Sequence, residues 1–254
     1  MNNFLIITSL FLFSSFGIAQ DYSDPVSEGE IVVEKPTDLS QNYRDRRGRY
    51  GILFSVNYEK FTPNNYVSIF QNKNFEQLSG DGEMPLVSGE LGAKFNFVMG
   101  SISASASYGQ SIFSNESQDV YNMQADITKL NLGFAFDNLT TEPWVVPYGQ
   151  VGIHQITWEE ESYDSSNNLI SQSVKTPWTM NYKAGLMLQL NWLENSIDPN
   201  THTNGLTSSG LQNTFLDIFY QGYAETEVVT QNQYGTKAID FKSNNYGVGL
   251  KLEF

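Results

Sequence analysis

The chain has 254 residues, with 28 acidic against 14 basic side chains and a net charge of −14. That sign excludes nucleic acid as a partner, because phosphate binding needs a cationic surface. The absence of cysteine excludes a disulfide framework, thiolate catalysis, a cysteine-based zinc site and a lipidated cysteine.

Residues 1–19 read as a secretory signal. An uncharged apolar stretch from Phe4 to Phe16 is followed by Gly17-Ile18-Ala19, with small residues at −3 and −1 of a cut before Gln20. No Lys or Arg precedes the stretch, which departs from the usual pattern. Residues 20–48 are polar and acidic, broken by Pro25 and Pro36, and are predicted to be a flexible tail. The tail runs into Arg44-Asp45-Arg46-Arg47-Gly48-Arg49, four arginines in six residues. This cluster reads either as an anchor on anionic headgroups or as a solvated basic turn.

From Tyr50 onward the dominant signal has period two, the spacing at which strand side chains share a face. Tyr50, Ile52, Phe54, Val56 and Tyr58 alternate with small or polar residues, as do Leu91 to Phe97, Ile102 to Tyr108 and Leu130 to Phe136. A fifth segment, Val145 to Trp158, is strand-like, but its parity is confused around Pro147. The sixth, Trp178 to Trp192, keeps one apolar face throughout; Leu216 to Ala224 and Tyr246 to Phe254 complete eight strands.

Eight amphipathic strands fit a soluble barrel with its apolar face inward or a membrane barrel with that face outward. The opposite faces decide between them. They are mostly Ser, Gly, Asn and Gln, too poorly charged for a soluble exterior but suited to the narrow interior of an eight-stranded barrel. The predicted fold is therefore all-β: an antiparallel up-and-down transmembrane barrel over residues 49–254. Tyr50, Tyr58, Trp178, Trp192, Tyr246 and Phe254 fall where strands meet headgroups. Trp178 and Trp192 stand 14 positions apart, roughly 35 Å of height for a tilted strand. Short connections at Met99-Gly100 and Asn138–Trp144 alternate with longer ones at 61–86, 114–127, 159–175 and 227–243. That rhythm, with an even strand count, places both termini and the tail in the periplasm. The 193–210 connection breaks the rule, being 18 residues long where a short turn belongs.

The last strand, Tyr246-Gly-Val-Gly-Leu-Lys-Leu-Glu-Phe254, resembles the C-terminal signal by which outer-membrane barrels are recognised by their assembly machinery. Tyr246, Val248, Leu250, Leu252 and Phe254 carry that alternation. With the leader, strand count and loop rhythm, residues 49–254 resemble the small eight-stranded barrels of the OmpA, OmpX and OmpW kind. The resemblance implies a bacterial outer-membrane location.

The parity predicts a lumen holding Lys94, Lys129, Lys183 and Lys251 opposed by Glu59, Glu90, Asp137, Asp217, Glu225 and Glu253. Buried charges are costly unless paired, so these residues are read as an ion-pair network that plugs the barrel. The predicted outer loops are acidic, at Glu76, Asp81, Glu83, Glu116, Asp119, Glu159, Glu160, Glu161 and Asp164. They read as a solvated surface or as ligands for divalent cations bridging to surface glycolipid. Asp198 to Gly205 fails the spacing of a calcium loop, and no other cofactor or metal pattern occurs. Some barrels are enzymes, but neither His154 nor His202 begins a His-x-Ser motif, and neither has a carboxylate or serine at a telling spacing. The expectation is a non-enzymatic barrel with a structural or surface-interaction role and a plugged lumen. Its expected partners are outer-membrane lipids, surface glycolipid, the assembly machinery during biogenesis and an unidentified surface or periplasmic protein. The alternative is a narrow OmpW-like pore for small or apolar solutes.

Overall fold

The computed structural model describes residues 42–63, 66–70, 73–79, 83–115, 121–163, 166–190, 210–232 and 235–254. The predicted signal, most of the tail, Trp192, His202 and most of the 193–210 connection lie outside the described residues. A short helix α1 (Tyr43–Arg46) leads into β1 (Tyr50–Phe61). After helix α2 (Phe75–Ser79) come β2 (Met84–Asn96), β3 (Ser101–Asn115), β4 (Tyr121–Ala135) and β5 (Val145–Tyr163). The chain continues through β6 (Leu169–Lys175), β7 (Thr179–Gln189), β8 (Asn213–Tyr223), β9 (Glu227–Asn232), β10 (Gly235–Asp240) and β11 (Ser243–Glu253).

Eight of these strands form one closed antiparallel ring in the order β4-β3-β2-β1-β11-β8-β7-β5, with β5 returning to β4. First and last strands meet from Leu53↔Glu253 to Glu59↔Gly247. Phe254 and Ile52 exchange both backbone hydrogen bonds, at 2.8 and 2.9 Å. Closure leaves no edge inside the membrane, which is the condition a sheet must meet in lipid. At one end the strands are joined by tight turns, with Phe97 N–H on the Gly100 carbonyl at 2.9 Å. A Cβ on Gly100 would overlap the Ala135 carbonyl, so this turn needs its glycine.

At the other end the strands outrun the membrane. β6 pairs only with the outer half of β5, from Thr157 to Tyr163, while β7 takes the inner half, from Val145 to His154. Pro177 lacks an N–H and separates the two strands. Thr176 spans the gap: its N–H donates to the Ile156 carbonyl and its hydroxyl accepts from Ile156 N–H, both at 2.9 Å. β9 and β10 form a separate two-stranded hairpin.

One regularity fixes the membrane position. Along β4 the outward residues Leu130 and Leu132 are exposed and apolar, and the inward Lys129 and Asn131 are buried and polar. Farther outward the parity continues but the chemistry reverses: inward Met123, Ala125 and Ile127 are fully buried, and outward residues are Asn122, Gln124, Asp126 and Thr128. β5 repeats this, with Val151 and Ile153 outward below the switch and Ile156 and Trp158 buried inward above it. Side chains facing lipid must be apolar and side chains facing water polar, so the reversal marks one boundary of the apolar belt, termed outer for the sequence-based expectation that both termini lie on the opposite side. Below it the barrel is greasy outside; above it the barrel has an ordinary water-facing exterior and an apolar core.

Candidate functional site: a barrel interior closed at three levels

The inner end is filled by the segment before β1. Asn42 caps α1 by accepting from Asp45 N–H, and the helix drops the fully buried Tyr43 into the mouth of the ring. Tyr43 N–H donates to Glu142 at 2.8 Å; its hydroxyl donates to Glu253 at 2.8 Å and accepts from Lys94 Nζ at 2.8 Å. Arg47 pairs with Asp137 at 2.8 Å and donates to the Phe97 and Gly100 carbonyls of the β2–β3 turn. Arg44 holds Asn138 through its side chain and carbonyl. Arg49 lies over the Tyr50 and Phe95 rings. The arginine cluster is thus neither a purely interfacial anchor nor a solvated turn, because Arg47 is a buried rivet. The end of the segment read as flexible, from Asn42, is docked. Burial, followed by the charges of Glu253 and Asp137, pushes the Tyr43 phenol well above its ordinary value, so it stays neutral and donates. Burial also acts to raise Asp137. Lys94, the Ser101 hydroxyl and Arg47 together outweigh that effect and hold its carboxyl below the usual range.

The middle level is ionic. Lys94 bridges Asp137, at 2.8 Å, and Glu253. Lys183 meets Asp217 at 3.0 Å; the Tyr148 hydroxyl donates to the same carboxylate at 2.8 Å. Lys251 stands 4.0 Å from Asp217, with its ammonium over the Tyr148 ring at 4.7 Å. Glu90 accepts from Ser105, from Gln150 at 3.1 Å and from Ser55 at 3.4 Å. Nearest the outer boundary, Lys129 meets Glu59 at 3.4 Å, and the Tyr223 hydroxyl donates to Glu59 at 2.6 Å. Gly247 makes room here, since a Cβ would overlap the Phe219 ring and the Tyr58 carbonyl. Lys94, Lys129, Lys183 and Lys251 of this layer, together with Arg47, face Glu59, Glu90, Asp137, Asp217 and Glu253, five charges of each sign. These ten charges balance, whereas the outer level adds a carboxylate, Glu160, with no lysine or arginine beside it among the described residues. Glu225 does not belong to the ionic layer: it follows the end of β8 and is exposed.

The outer level is an apolar cap. Phe61, Leu86, Met123, Ile127, Ile156, Trp158 and Phe241 line it, and the β1–β2 connection folds inward to add Tyr66, Ile69, Phe75 and Leu78. α2 is held for this by reciprocal bonds between Asn74 and Gln77, a side chain of each accepting from the other's N–H. Glu160, expected on a solvated acidic loop, is fully buried in the cap. It accepts from the Tyr66 and Ser68 hydroxyls and from the N–H groups of Ile69 at 3.0 Å and Phe70 at 3.3 Å. His154 points inward, fully buried, its ring edge-to-face with Tyr223 at 5.1 Å and both nitrogens without a hydrogen-bond partner. Among the described residues no acid or serine is hydrogen-bonded to it.

Outside, Tyr58, Tyr182, Tyr246 and Trp178 are exposed near the outer boundary, with Tyr220 in ring contact with both Tyr182 and Tyr246. Tyr50 and Trp144 are exposed at the inner one. Tyr50 to Tyr58 rises about 20 Å along a tilted strand, shorter than the height read from Trp178 to Trp192; Trp178 precedes β7 at the outer boundary, and Trp192 lies outside the described residues. Tyr246, Val248 and Leu250 face outward on β11, Leu252 is half-buried, and Phe254 closes the seam with β1. Sequence reasoning missed Tyr43, Tyr66, Tyr148 and Tyr223, and it singled out Arg47 with its cluster but for another role. Tyr43 and Tyr66 lie in segments without period two, and Tyr148 and Tyr223 carry no charge.

No family model and no curated protein sequence matches the chain. Solved structures do align with it. The barrel of Ail, the attachment invasion locus protein of Yersinia pestis, is 13% identical, covering 82% of this chain and 100% of that one at a TM-score of 0.42. The N-terminal β-barrel domain of Pseudomonas aeruginosa OprF is 12% identical over 81% of this chain and 98% of that one, at 0.37. Neisserial surface protein A is 10% identical over 82% and 98%, at 0.38. All three are small eight-stranded outer-membrane barrels. The pairing of the strands, not this likeness, carries the assignment of the chain as a closed eight-stranded barrel.

Proposed function

We propose that the chain is a non-enzymatic outer-membrane barrel that keeps its lumen shut and acts as a structural element or through its outer surface. The observation that carries this reading is the closure of the interior at three successive levels: Tyr43 and Arg47, then an ion-pair layer, then an apolar cap. An open water path would need at least one continuous polar passage, and the cap opposes one. The outward Leu, Val, Ile and Tyr of the belt support residence in lipid, and the polar exterior above it supports exposure at the cell surface. The exposed β11 side chains Tyr246, Val248 and Leu250 are suited to recognition by the assembly machinery before the ring closes. Outer-membrane lipids would contact the belt, and glycolipid or a surface protein the outer rim.

Two measurements test the reading together. The protein should pellet with outer membrane and migrate differently on gels before and after boiling. In planar bilayers, the folded protein should give no discrete conductance. Reproducible unitary steps would overturn the closed-lumen reading in favour of a narrow pore for small or apolar solutes. Recovery in the soluble fraction would overturn the membrane reading altogether.

A further inference from the structure

We propose that the outer chamber is a binding site for an organic cation with an apolar body, and that the segment carrying Tyr66 occupies it as a built-in competitor. The inference does not depend on whether the lumen below conducts. It starts from Glu160, a fully buried carboxylate in an apolar core. Asp137, Asp217, Glu59 and Glu253 each have a lysine or arginine within 4.0 Å, and Glu90, held by Ser105, Gln150 and Ser55, stands in the lysine-bearing layer. Among the described residues, Glu160 has none. Its four donors are two hydroxyls and two backbone N–H groups, all from residues 66–70. The barrel wall therefore supplies the negative charge, and one inserted segment supplies only dipoles to meet it. A buried charge is best met by a counter-charge.

The walls around it are aromatic. The Trp158 ring lies 4.7 Å from that of Tyr66 and 5.4 Å from that of Phe241. Trp158 Nε1 donates to the Tyr66 hydroxyl at 3.2 Å, and that hydroxyl donates to Glu160. Tyr66 thus shows the shape of what fits: a ring against the indole with a positively polarised tip on the carboxylate. Aromatic faces beside a carboxylate are the chemistry that recognises an ammonium group attached to an apolar body. A cation of that form would satisfy both features, with a full charge where Tyr66 offers a dipole. Because the resident segment must leave first, apparent affinity is reduced by the fraction of molecules in which it has left.

The test uses benzyltrimethylammonium, with benzyl alcohol as the uncharged control, titrated calorimetrically into the full-length folded barrel in detergent. Tyr66→Ala, which removes the competitor, should bind the cation about tenfold tighter than the unaltered protein, reflecting the larger open fraction. Adding Glu160→Gln to that variant should erase the preference for the cation over the alcohol. Equal binding of the two probes by Tyr66→Ala, or cation binding that survives Glu160→Gln, overturns the proposal. Heat-shifted gel mobility establishes that each variant is folded. A second readout needs no variant: in the unaltered protein the cation should speed trypsin cleavage after Lys73 and the alcohol should not. Unchanged cleavage overturns the proposal equally.

Discussion

Lys94 shows how much one side chain does in this interior. It reaches Asp137, Glu253 and the Tyr43 hydroxyl at once, linking the inner seal to the ionic layer. Removing one partner of a buried pair leaves an uncompensated charge, so Lys94→Met should destabilise the barrel by about 3–5 kcal/mol. The exposed pair of Lys60 and Glu83 makes the control, and Lys60→Met should cost only about 0–1 kcal/mol. Urea midpoints of the protein folded in vesicles compare the two. The same seal sets an acid limit. Asp137 is held below the usual carboxylate range when folded, so its contribution is fully present above the unfolded value near pH 3.9. It is lost as pH falls through the lower folded value. The urea midpoint should drop in that window, and Asp137→Asn, already less stable at neutral pH, should show a shallower drop. The lumen charges were legible because parity places Glu59, Glu90, Lys94, Lys129, Lys183, Asp217, Lys251 and Glu253 on one face. Glu225 was misplaced because β8 ends at Tyr223, two residues before a parity rule would stop counting.

Among the elements, the strands were readable wherever lipid and lumen impose opposite chemistries on alternate residues. They were misread where that opposition reverses. The stretches 114–127 and 159–175 look like loops to a search for one continuous apolar face, yet most of their residues belong to β3, β4, β5 and β6. Along β5 the parity is confused first near Pro147, where Val146 and Tyr148 are apolar and inward while Val145 and Val151 are apolar and outward, and again at the reversal. Its inward residues run from Val146 and Tyr148 through Gln150 and His154 within the membrane to Ile156 and Trp158 beyond it, so neither parity is apolar or polar throughout. This placement of the boundary predicts a depth dependence. Arginine for outward Leu132, inside the belt, should cost about 2–4 kcal/mol. Arginine for outward Thr128, at the switch, should cost about 0–1 kcal/mol. Folding titrations in vesicles measure both, and equal costs would move the boundary. α1 was not legible at all, because four residues without periodicity carry no signal until the ring they fill exists.

For the molecule as a whole, the ring joins β1 to β11, and the residues that close its inner mouth come from distant parts of the chain: Tyr43 and Glu253 are 210 positions apart, Lys94 and Glu253 159. Contacts of such separation form only after much chain entropy has been surrendered. Glu253 reaches both partners only when the final strand has zipped onto the first. Tyr43 and Lys94 therefore act as a latch that engages late, and its engagement is a chemical record that the circle is complete. A chain stalled with an open seam would keep this latch undone and its inner mouth wet, distinguishable from the finished product by hydrogen exchange at the Tyr43 amide.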